Sequence, residues 1–550
     1  MHQLIRNISI ASSVILLFSC GNKKVTTADN GLSAFNADSL AKHIATLSSD
    51  EFMGRKPFTI GETKTIAYLQ RQFAAAGLAP GNGDSYLQEV PMVNITTTAA
   101  PTMQVQSAKG NFNLKGLDDY VIWTDKTDST VALTEKDQVV FAGYGVVAPE
   151  YNWNDYAGVD VKGKIVLVLV NDPGFNAGDT SLFKGKAMTY YGRWTYKFEE
   201  AARQGAKGCL IVHNTAAAAY PFKVVQNNWN TSRLHLDNRG KNVKYADVIG
   251  WVTNEAANKL LTAAGYDSTL LARADKPGFK AVPLTVKLAT SIKVKAIFNK
   301  SYNVIGKITG TKYPDETIIY SAHWDHLGVG APNAKGDSIY NGALDNASAT
   351  AGLIELARGF KQMDKAPERT IIILSVTAEE QGLWGSAYYA QNPVYPINKT
   401  IANFNMDGLN WYGKTKDITV IGQGQSTLED MLKTEAAKEN RYIAFEAHPE
   451  AGSYYRSDHF NFAKVGVPAL YVNSGTDVIG KEKGYGQKLA DEYTKENYHR
   501  PTDEYSSSWK LDGAIDDLQL LFKLGRQLAF DHSFPEWKMG SEFKTVREKK

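Results

Sequence analysis

The 550-residue chain has only two cysteines, a formal net charge of only +3 and no internal repeat. Two cysteines cannot supply the disulfide framework of a small secreted scaffold, and Cys209, in an apolar strand-like run, is expected to be buried and unreactive. The small charge argues against a nucleic-acid partner, so we interpret the basic C-terminal end as a solvated tail. With 43% hydrophobic and 22% charged residues, the composition is that of a globular protein, and the length favours two or more domains.

No apolar run near the N-terminus is long enough to span a bilayer as a stable helix. The run at 8–18 follows Arg6 and ends in Leu17-Phe18-Ser19-Cys20-Gly21, which resembles a bacterial lipoprotein signal. The resemblance implies removal of 1–19, acylation of Cys20 and a polar tether over 20–31. A plain secretory signal is the alternative. Both interpretations place the mature protein outside the cytoplasm, either secreted or in the bacterial cell envelope with a lipid as its only membrane attachment.

The rest of the chain divides into three blocks. Residues 32–95 have a helical pattern, in which Leu40, Ile44 and Leu47 share one face. Residues 100–298 have the pattern of short strands and turns with one or two helices. Residues 302–535 alternate strand and helix, which favours an α/β domain with a largely parallel sheet covered on both faces. The remaining 536–550 are assigned to the tail.

The middle block resembles the protease-associated domain, a small β-rich insert of several peptidase families. Strand signals at 139–145 and 163–170, a helical pattern at 197–202 and a strand signal at 209–212 follow one another in the order of that domain. The resemblance rests mainly on 139–213.

Polar residues follow directly after three predicted strands of the third block. His323-Trp324-Asp325-His326 follows the strand at 317–322, Glu379-Glu380 closely follows the strand at 370–376, and Asp407 follows the strand at 401–406. Ligands of open α/β sheets bind outside the carboxyl ends of the strands, so these side chains are expected to meet at one edge. Asp345 before a predicted helix and His499 in a later loop add two further candidates.

Each candidate also has a simpler explanation. Asp345 could be only a helix N-cap, Glu379 and Glu380 a solvated pair, and Asp407 a turn residue. The set is harder to explain in this way, because His, Asp and Glu side chains suit a pair of metal ions and recur at strand ends.

The third block resembles the co-catalytic zinc exopeptidases, which include bacterial leucyl-type aminopeptidases, glutamate carboxypeptidases and the transferrin receptor. The resemblance covers nearly all of 302–505 and extends to the motif at 48–55. It implies a phosphorylase/hydrolase-like α/β fold in which 32–95 and 302–535 pack as one catalytic unit around the insert.

The resemblance also implies a role for each candidate in a site for two zinc ions, with cobalt or manganese as possible substitutes. The implied metal ligands are His323, Asp345, Glu380, Asp407 and His499. Asp345 would bridge the two ions, His323 and Asp407 would complete one site, and Glu380 and His499 would complete the other. In such relatives the peptide bond after the bridging aspartate is often cis.

Three further residues have expected roles around the metals. Glu379 would act as the general base, taking a proton from the attacking water and delivering it to the leaving amine. Tyr498 would polarise the scissile carbonyl through its hydroxyl. The carboxylate of Asp325 would orient an imidazole ligand.

The expected substrates are peptides, and the ligand set alone does not choose the peptide end. We favour an aminopeptidase by family analogy, with a glutamate-carboxypeptidase-type enzyme as the alternative. Arg456 could hold a substrate carboxylate, and Trp194, Tyr196 and Trp229 of the insert could overhang the cleft. A non-catalytic binding protein and a single-zinc glutaminyl cyclase are the remaining alternatives. The oligomeric state is not readable from the sequence.

Overall fold

The computed structural model describes residues 30–178 and 180–548. The signal segment and Cys20 lie outside these residues, so export and lipid attachment stay predictions. Within the described ranges, no helix combines the length and apolarity needed to cross a bilayer.

Eighteen of the described strands belong to one continuous hydrogen-bonded sheet of mixed direction, with one part in the third block and one in the insert, and the other four form two small antiparallel pairs. The strands are β1 (Ala79–Pro80), β2 (Leu87–Ala99), β3 (Thr102–Ser107), β4 (Phe112–Lys115), β5 (Tyr120–Trp123), β6 (Thr130–Leu133), β7 (Gln138–Phe141), β8 (Val147–Ala148), β9 (Trp153–Asn154), β10 (Ile165–Leu169), β11 (Gly208–Val212), β12 (Ser232–Leu236), β13 (Val248–Val252), β14 (Val282–Ile308), β15 (Tyr313–His323), β16 (Gly328–Val329), β17 (Ile339–Tyr340), β18 (Arg369–Val376), β19 (Thr400–Asn405), β20 (Asp417–Val420), β21 (Tyr442–Phe445) and β22 (Ala469–Ser474).

The α-helices cover the faces of these sheets. They are α1 (Ala37–Leu47), α2 (Ile60–Ala75), α3 (Gly174–Ala177), α4 (Trp194–Arg203), α5 (Thr215–Ala218), α6 (Phe222–Gln226), α7 (Asn254–Ala263), α8 (Thr269–Arg273), α9 (Ala349–Gln362), α10 (Trp384–Gln391), α11 (Leu428–Lys438), α12 (His459–Lys464), α13 (Tyr485–Glu496), α14 (Asp512–Asp531) and α15 (Lys544–Glu548).

The main sheet of the third block has the order β14-β18-β15-β19-β22-β20-β21. Strands β18, β15, β19 and β22 are parallel, whereas β14 and β20 run antiparallel to their neighbours β18 and β22. All eight residues of β18 are buried, as expected for a strand covered on both faces. The predicted α/β fold with a largely parallel sheet is therefore confirmed.

The first two helices share one apolar core with this sheet. Leu40 and Ile44 of α1 and Leu69 of α2 are fully buried in the same cluster as Leu353 of α9 and Ile371 of β18. Each such side chain contributes about 1.5–3 kcal/mol when it leaves water. The helical pattern extends only to Ala75, because the chain continues from Ala79 as strands β1 and β2.

A long two-stranded ribbon connects the main sheet to the insert. β2 and β14 pair antiparallel without interruption from Leu87↔Val304 to Ala99↔Ile292. The boundaries expected at 95–100 and 298–302 therefore fall inside continuous strands. Burial alternates along 94–99, through the run Thr96-Thr97-Thr98, so β2 continues across the expected break and no turn residue marks it.

The part of the sheet in the insert has the order β4-β3-β14-β7-β10-β11-β13-β5. Its four central strands, β7, β10, β11 and β13, are parallel, and α4 connects β10 to β11. Cys209 is fully buried on β11.

The segment 536–548, which we expected to be a solvated tail, packs against the third block. Trp537 and Phe543 are buried with Tyr454 and Phe460, and the Trp537 indole donates a hydrogen bond to Gly466 O at 3.0 Å. The segment packs in spite of its basic residues, because burial of the two aromatic side chains removes a large apolar area from water.

Candidate metal centre

Three adjacent parallel strands place candidate site residues at one edge of the main sheet. β15 ends at His323, which is in register with Val376 at the end of β18. On the other side of β15, β19 ends at Asn405, two residues before Asp407. Glu379 and Glu380 follow β18, so all four side chains lie at the carboxyl ends of neighbouring strands, as predicted.

Asp345 reaches this edge from an irregular turn that precedes α9. The backbone N–H groups of Leu344 and Asp345 donate to the carboxylate of Asp503 at 3.0 and 3.1 Å. Gly342 adopts a left-handed φ of 56°, and a Cβ there would lie 2.2 Å from Asp345 O, so the turn requires glycine. The peptide bond between Asp345 and Asn346 is cis, as the resemblance implied.

The last expected ligand, His499, follows α13 in a loop and has a left-handed φ of 56°. The ring of Tyr498 stacks on its imidazole, with centroids 3.9 Å apart. Tyr498 itself is 46% exposed.

The five expected ligands converge as two groups that share Asp345. His323 Nε2 lies 3.4 Å from Asp345 Oδ1 and 3.2 Å from Asp407 Oδ1. His499 Nε2 lies 3.2 Å from Asp345 Oδ2 and 3.0 Å from Glu380 Oε2. Each oxygen of Asp345 therefore faces a different imidazole, the arrangement that a bridging carboxylate requires.

This donor set fits a pair of zinc ions. Imidazole nitrogen and carboxylate oxygen are ordinary zinc ligands, and three protein donors per ion leave a position for water. Among the described residues, two groups bring possible ligand atoms within 4.8 Å of one another: His323 with Glu379 and Asp407, and His326 with Asp345 and Glu380.

The electrostatics of the two imidazoles agree with a cation site. Burial opposes protonation of both rings, but the surrounding carboxylates outweigh it and raise the pKa of His499 to about 10 and that of His323 well above its usual value. The pKa of Asp345 falls well below its usual range, since its imidazole partners outweigh its burial. The same negative field would attract divalent metal ions.

Glu379 lies beside the expected ligands but forms no hydrogen bond with the imidazole of His323 or His499. Its Oε2 is 3.9 Å from His323 Nε2. Burial raises the pKa of Glu379 well above its usual value, and the carboxylates of Asp407 and Glu380 add to this effect. A glutamate that holds a proton readily and borders the metal ligands suits proton transfer.

The carboxylate of Asp325 holds the backbone of Glu379 and not the imidazole that we expected it to orient. Its Oδ1 accepts the backbone N–H of Glu379 at 3.0 Å but lies 3.8 Å from His323 Nδ1. The nearer partner of His323 Nδ1 is the backbone carbonyl of Asp325, at 3.1 Å. The ring is thus oriented by main chain, and the carboxylate fixes the backbone that carries Glu379.

His326 is a site residue that the sequence reasoning missed. It is fully buried, and its Nδ1 lies 2.5 Å from Glu380 Oε1. Its ring centroid is 5.7 Å from that of His499. The sequence feature that could have identified it is the presence of a second histidine three residues after His323.

Comparisons with known proteins agree with this site. Residues 303–522 match the model of Peptidase family M28. Carboxypeptidase Q of Xenopus laevis is 27% identical over 282 residues, which are 49% of this chain and 49% of that protein. A Glutamate carboxypeptidase 2 homolog of Caenorhabditis elegans is 24% identical over 474 residues, 73% of this chain and 57% of that protein. The chain thus spans about half the length of these curated relatives.

Among solved structures, an aminopeptidase from Aneurinibacillus sp. strain AM-1 is 20% identical, with a TM-score of 0.47 and coverage of 93% of this chain and 96% of that chain. The match over 303–522 includes the three strands whose ends carry the candidate ligand groups.

Proposed function

We propose that the protein is a zinc-dependent exopeptidase that binds two metal ions and hydrolyses peptide bonds, releasing N-terminal amino acids. The observation that carries this proposal is the shared position of Asp345, whose two oxygens face His323 and His499 at 3.4 and 3.2 Å. A carboxypeptidase is the alternative, since curated relatives of that name match the chain as well.

In this proposal His323, Asp407 and Asp345 hold one zinc ion, and Asp345, Glu380 and His499 hold the other. When bound, the two ions supply an activated water and polarise the scissile carbonyl. Glu379 takes the proton from the attacking water and passes it to the leaving amine. Asp325 keeps Glu379 in place through its backbone N–H. The hydroxyl of Tyr498 donates a hydrogen bond to the developing oxyanion.

The test uses aminoacyl-p-nitroanilides and N-blocked peptides with the zinc-loaded wild type and Glu379→Ala. We expect release from free N-termini and a loss of kcat of about 10²–10⁴-fold in the variant, because the proton acceptor is removed. Zinc content should stay at two ions per chain. The control is Glu482→Ala, which removes an exposed glutamate.

If only N-blocked peptides are cleaved, the aminopeptidase proposal is wrong and the carboxypeptidase is favoured. Unchanged kcat in Glu379→Ala would refute the mechanism. One zinc ion per chain would favour a single-metal enzyme of the glutaminyl cyclase kind. Export, and attachment through an acylated Cys20, are proposed from the sequence of the first 31 residues alone.

A further inference from the structure

The turn 378–384, which carries Glu379, has a strained backbone. Ala378 and Leu383 adopt left-handed φ angles of 53° and 62°, although neither is glycine. Such a conformation is unfavourable for a residue with a Cβ and persists only where surrounding contacts fix it. Two backbone hydrogen bonds, from the N–H groups of Gly382 and Leu383 to Glu379 O at 2.9 Å, close the turn. Its conformation therefore depends on what packs against it.

Trp384, the last residue of the turn, packs its indole back against the turn. Its Nε1 donates a hydrogen bond to Gln381 O at 2.8 Å, and its backbone N–H donates to Ala378 O at 3.1 Å. A Cβ at Gly382 would lie 3.0 Å from the indole, so the ring lies directly against that residue. The position of the indole and the path of the backbone between Ala378 and Trp384 are therefore coupled.

The insert contacts this indole through a histidine that lies against an aspartate. The imidazole of His235 on β12 lies against the indole of Trp384, with ring centroids 4.6 Å apart and 44° between the ring planes. His235 Nε2 lies 3.1 Å from Asp125 Oδ1, in the segment that follows β5. His235 is only 9% exposed. A carboxylate beside one ring nitrogen orients an imidazole, so Asp125 sets how His235 meets the indole.

The strand that carries His235 also supports the start of the turn. Ala378 is fully buried in one apolar cluster with Leu234 and Leu236 of β12 and with Val90 and Met92 of β2. β12 pairs antiparallel with β2 along its whole length. The ribbon and the insert strand paired with it therefore form one wall beside the turn.

The third block fixes the two ends of the turn separately. The backbone N–H of Thr377 donates to Asn303 Oδ1 at 3.0 Å, and Asn303 Nδ2 donates to Gly385 O at 2.9 Å. The backbone N–H of Gly385 also donates to Thr377 O at 2.9 Å. The ends of the turn are thus held by the main sheet, whereas its indole is held by the insert.

We propose that the insert positions Glu379, the general base, through the contact of His235 with Trp384. Asp125 orients the imidazole, the imidazole holds the indole, and the indole fixes the turn that carries the base. A proton acceptor must lie within hydrogen-bond reach of its donor, and a displacement of about 1 Å can cost about 100-fold in rate. His235 is thus a positioning residue that acts through Trp384. This inference rests on the proposed function and adds a role for the insert in the reaction.

The first test compares the zinc-loaded wild type with His235→Ala and His235→Phe, using the substrate that the wild type cleaves best. We expect His235→Ala to lower kcat by about tenfold or more, with KM within about twofold and unchanged zinc content. His235→Phe should recover part of kcat, because a flat ring again lies against Trp384. The matched control is His213→Ala, which removes a similarly buried imidazole of the insert that packs on Trp251, with ring centroids 5.8 Å apart.

A double-mutant cycle shows whether His235 acts through Glu379. Once the base is absent its position no longer matters, so His235→Ala should cause no further loss of rate in the Glu379→Ala background. Equal fold losses in both backgrounds would overturn the proposal. A higher KM with unchanged kcat would overturn it too, because His235 would then be a substrate contact. An equal loss in His213→Ala would show that the stability of the insert, and not the contact with Trp384, controls the rate.

Amide hydrogen exchange of the zinc-loaded protein tests the contact without turnover. His235→Ala should speed exchange of the amides of Gly382, Leu383 and Trp384, which close the turn, by at least several-fold, while exchange in β15 stays unchanged. Equal protection of these amides in His235→Ala and the wild type would refute the positioning role even in an active peptidase. Faster exchange in a protein that cleaves no peptide would refute the proposed function alone and support the role of His235 in holding the turn.

Discussion

Glu380 is held from two sides by imidazoles. Its Oε1 lies 2.5 Å from His326 Nδ1, and its Oε2 lies 3.0 Å from His499 Nε2. A hydrogen bond to one oxygen of a carboxylate fixes the direction of the other oxygen. Residues that hydrogen-bond to metal ligands commonly orient them in this way. His326 is therefore a positioning residue that acts through Glu380.

We expect His326→Ala to weaken metal binding by about 10–100-fold, because the hydrogen bond that orients Glu380 is lost. His326→Asn should recover part of the affinity, since its amide N–H can replace Nδ1. Competition between the protein and a zinc-binding chelator measures the affinity. The control is His448→Ala, whose ring is 77% exposed, and equal affinities of the wild type and His326→Ala would refute the role.

At the scale of elements, the turn Asp50–Arg55 between the first two helices supports the loop that carries Asp345. Arg55 is almost fully buried and donates hydrogen bonds to four backbone carbonyls, those of Leu47, Trp324, Asn341 and Gly342, at 2.5–2.9 Å. The N-terminal segment and the metal loop, nearly 300 residues apart in sequence, are thus joined through one guanidinium. A site on the sheet edge depends on this helical turn for its geometry.

We expect Arg55→Met to lower the free energy of unfolding by about 3 kcal/mol, because the lost donors leave buried carbonyl oxygens unpaired. The same change should reduce zinc affinity, as the loop around Gly342 loses its anchor. Urea denaturation and zinc titration measure the two effects. Arg71→Met removes an exposed arginine from α2 and should change neither, whereas a stable Arg55→Met protein with full zinc affinity would contradict the interpretation.

Across the whole molecule, the C-terminal segment fastens the insert to the third block. The carboxylate of Glu542 accepts hydrogen bonds from the backbone N–H of Tyr190 at 3.1 Å and the hydroxyl of Tyr455 at 2.7 Å, and it pairs with Lys184 at 3.2 Å. Tyr190 and Lys184 belong to the insert, and Tyr455 belongs to the third block. One buried carboxylate therefore joins three parts of the chain.

We expect Glu542→Ala to loosen the insert, because its removal leaves the N–H of Tyr190 and the ammonium of Lys184 without their acceptor. Amide hydrogen exchange over 184–193 should become at least several-fold faster, while exchange in β15 and β18 should not change. Glu548→Ala, at the exposed end of α15, is the control. Equal protection of 184–193 in Glu542→Ala and the wild type would show that the aromatic contacts alone hold the insert.

The sequence by itself determined the sheet and the position of most of the candidate ligands. Buried parallel strands appear as continuous apolar runs, so 370–376 was recognisable, and the polar residues after each run could be placed at one edge. His323, Glu379 and Asp407 follow from this local rule. Asp345 and His499 lie in irregular segments, and their roles needed the family resemblance.

Only the tertiary structure decided which residues support and surround the site. The carboxylate of Asp325 accepts a hydrogen bond from the backbone of Glu379, and the imidazole of His326 contacts Glu380. The C-terminal segment packs against the insert and the third block instead of lying in solvent. These features arise from side chains that are distant along the chain, and their partners are chosen by packing and burial, which no local pattern of residues encodes.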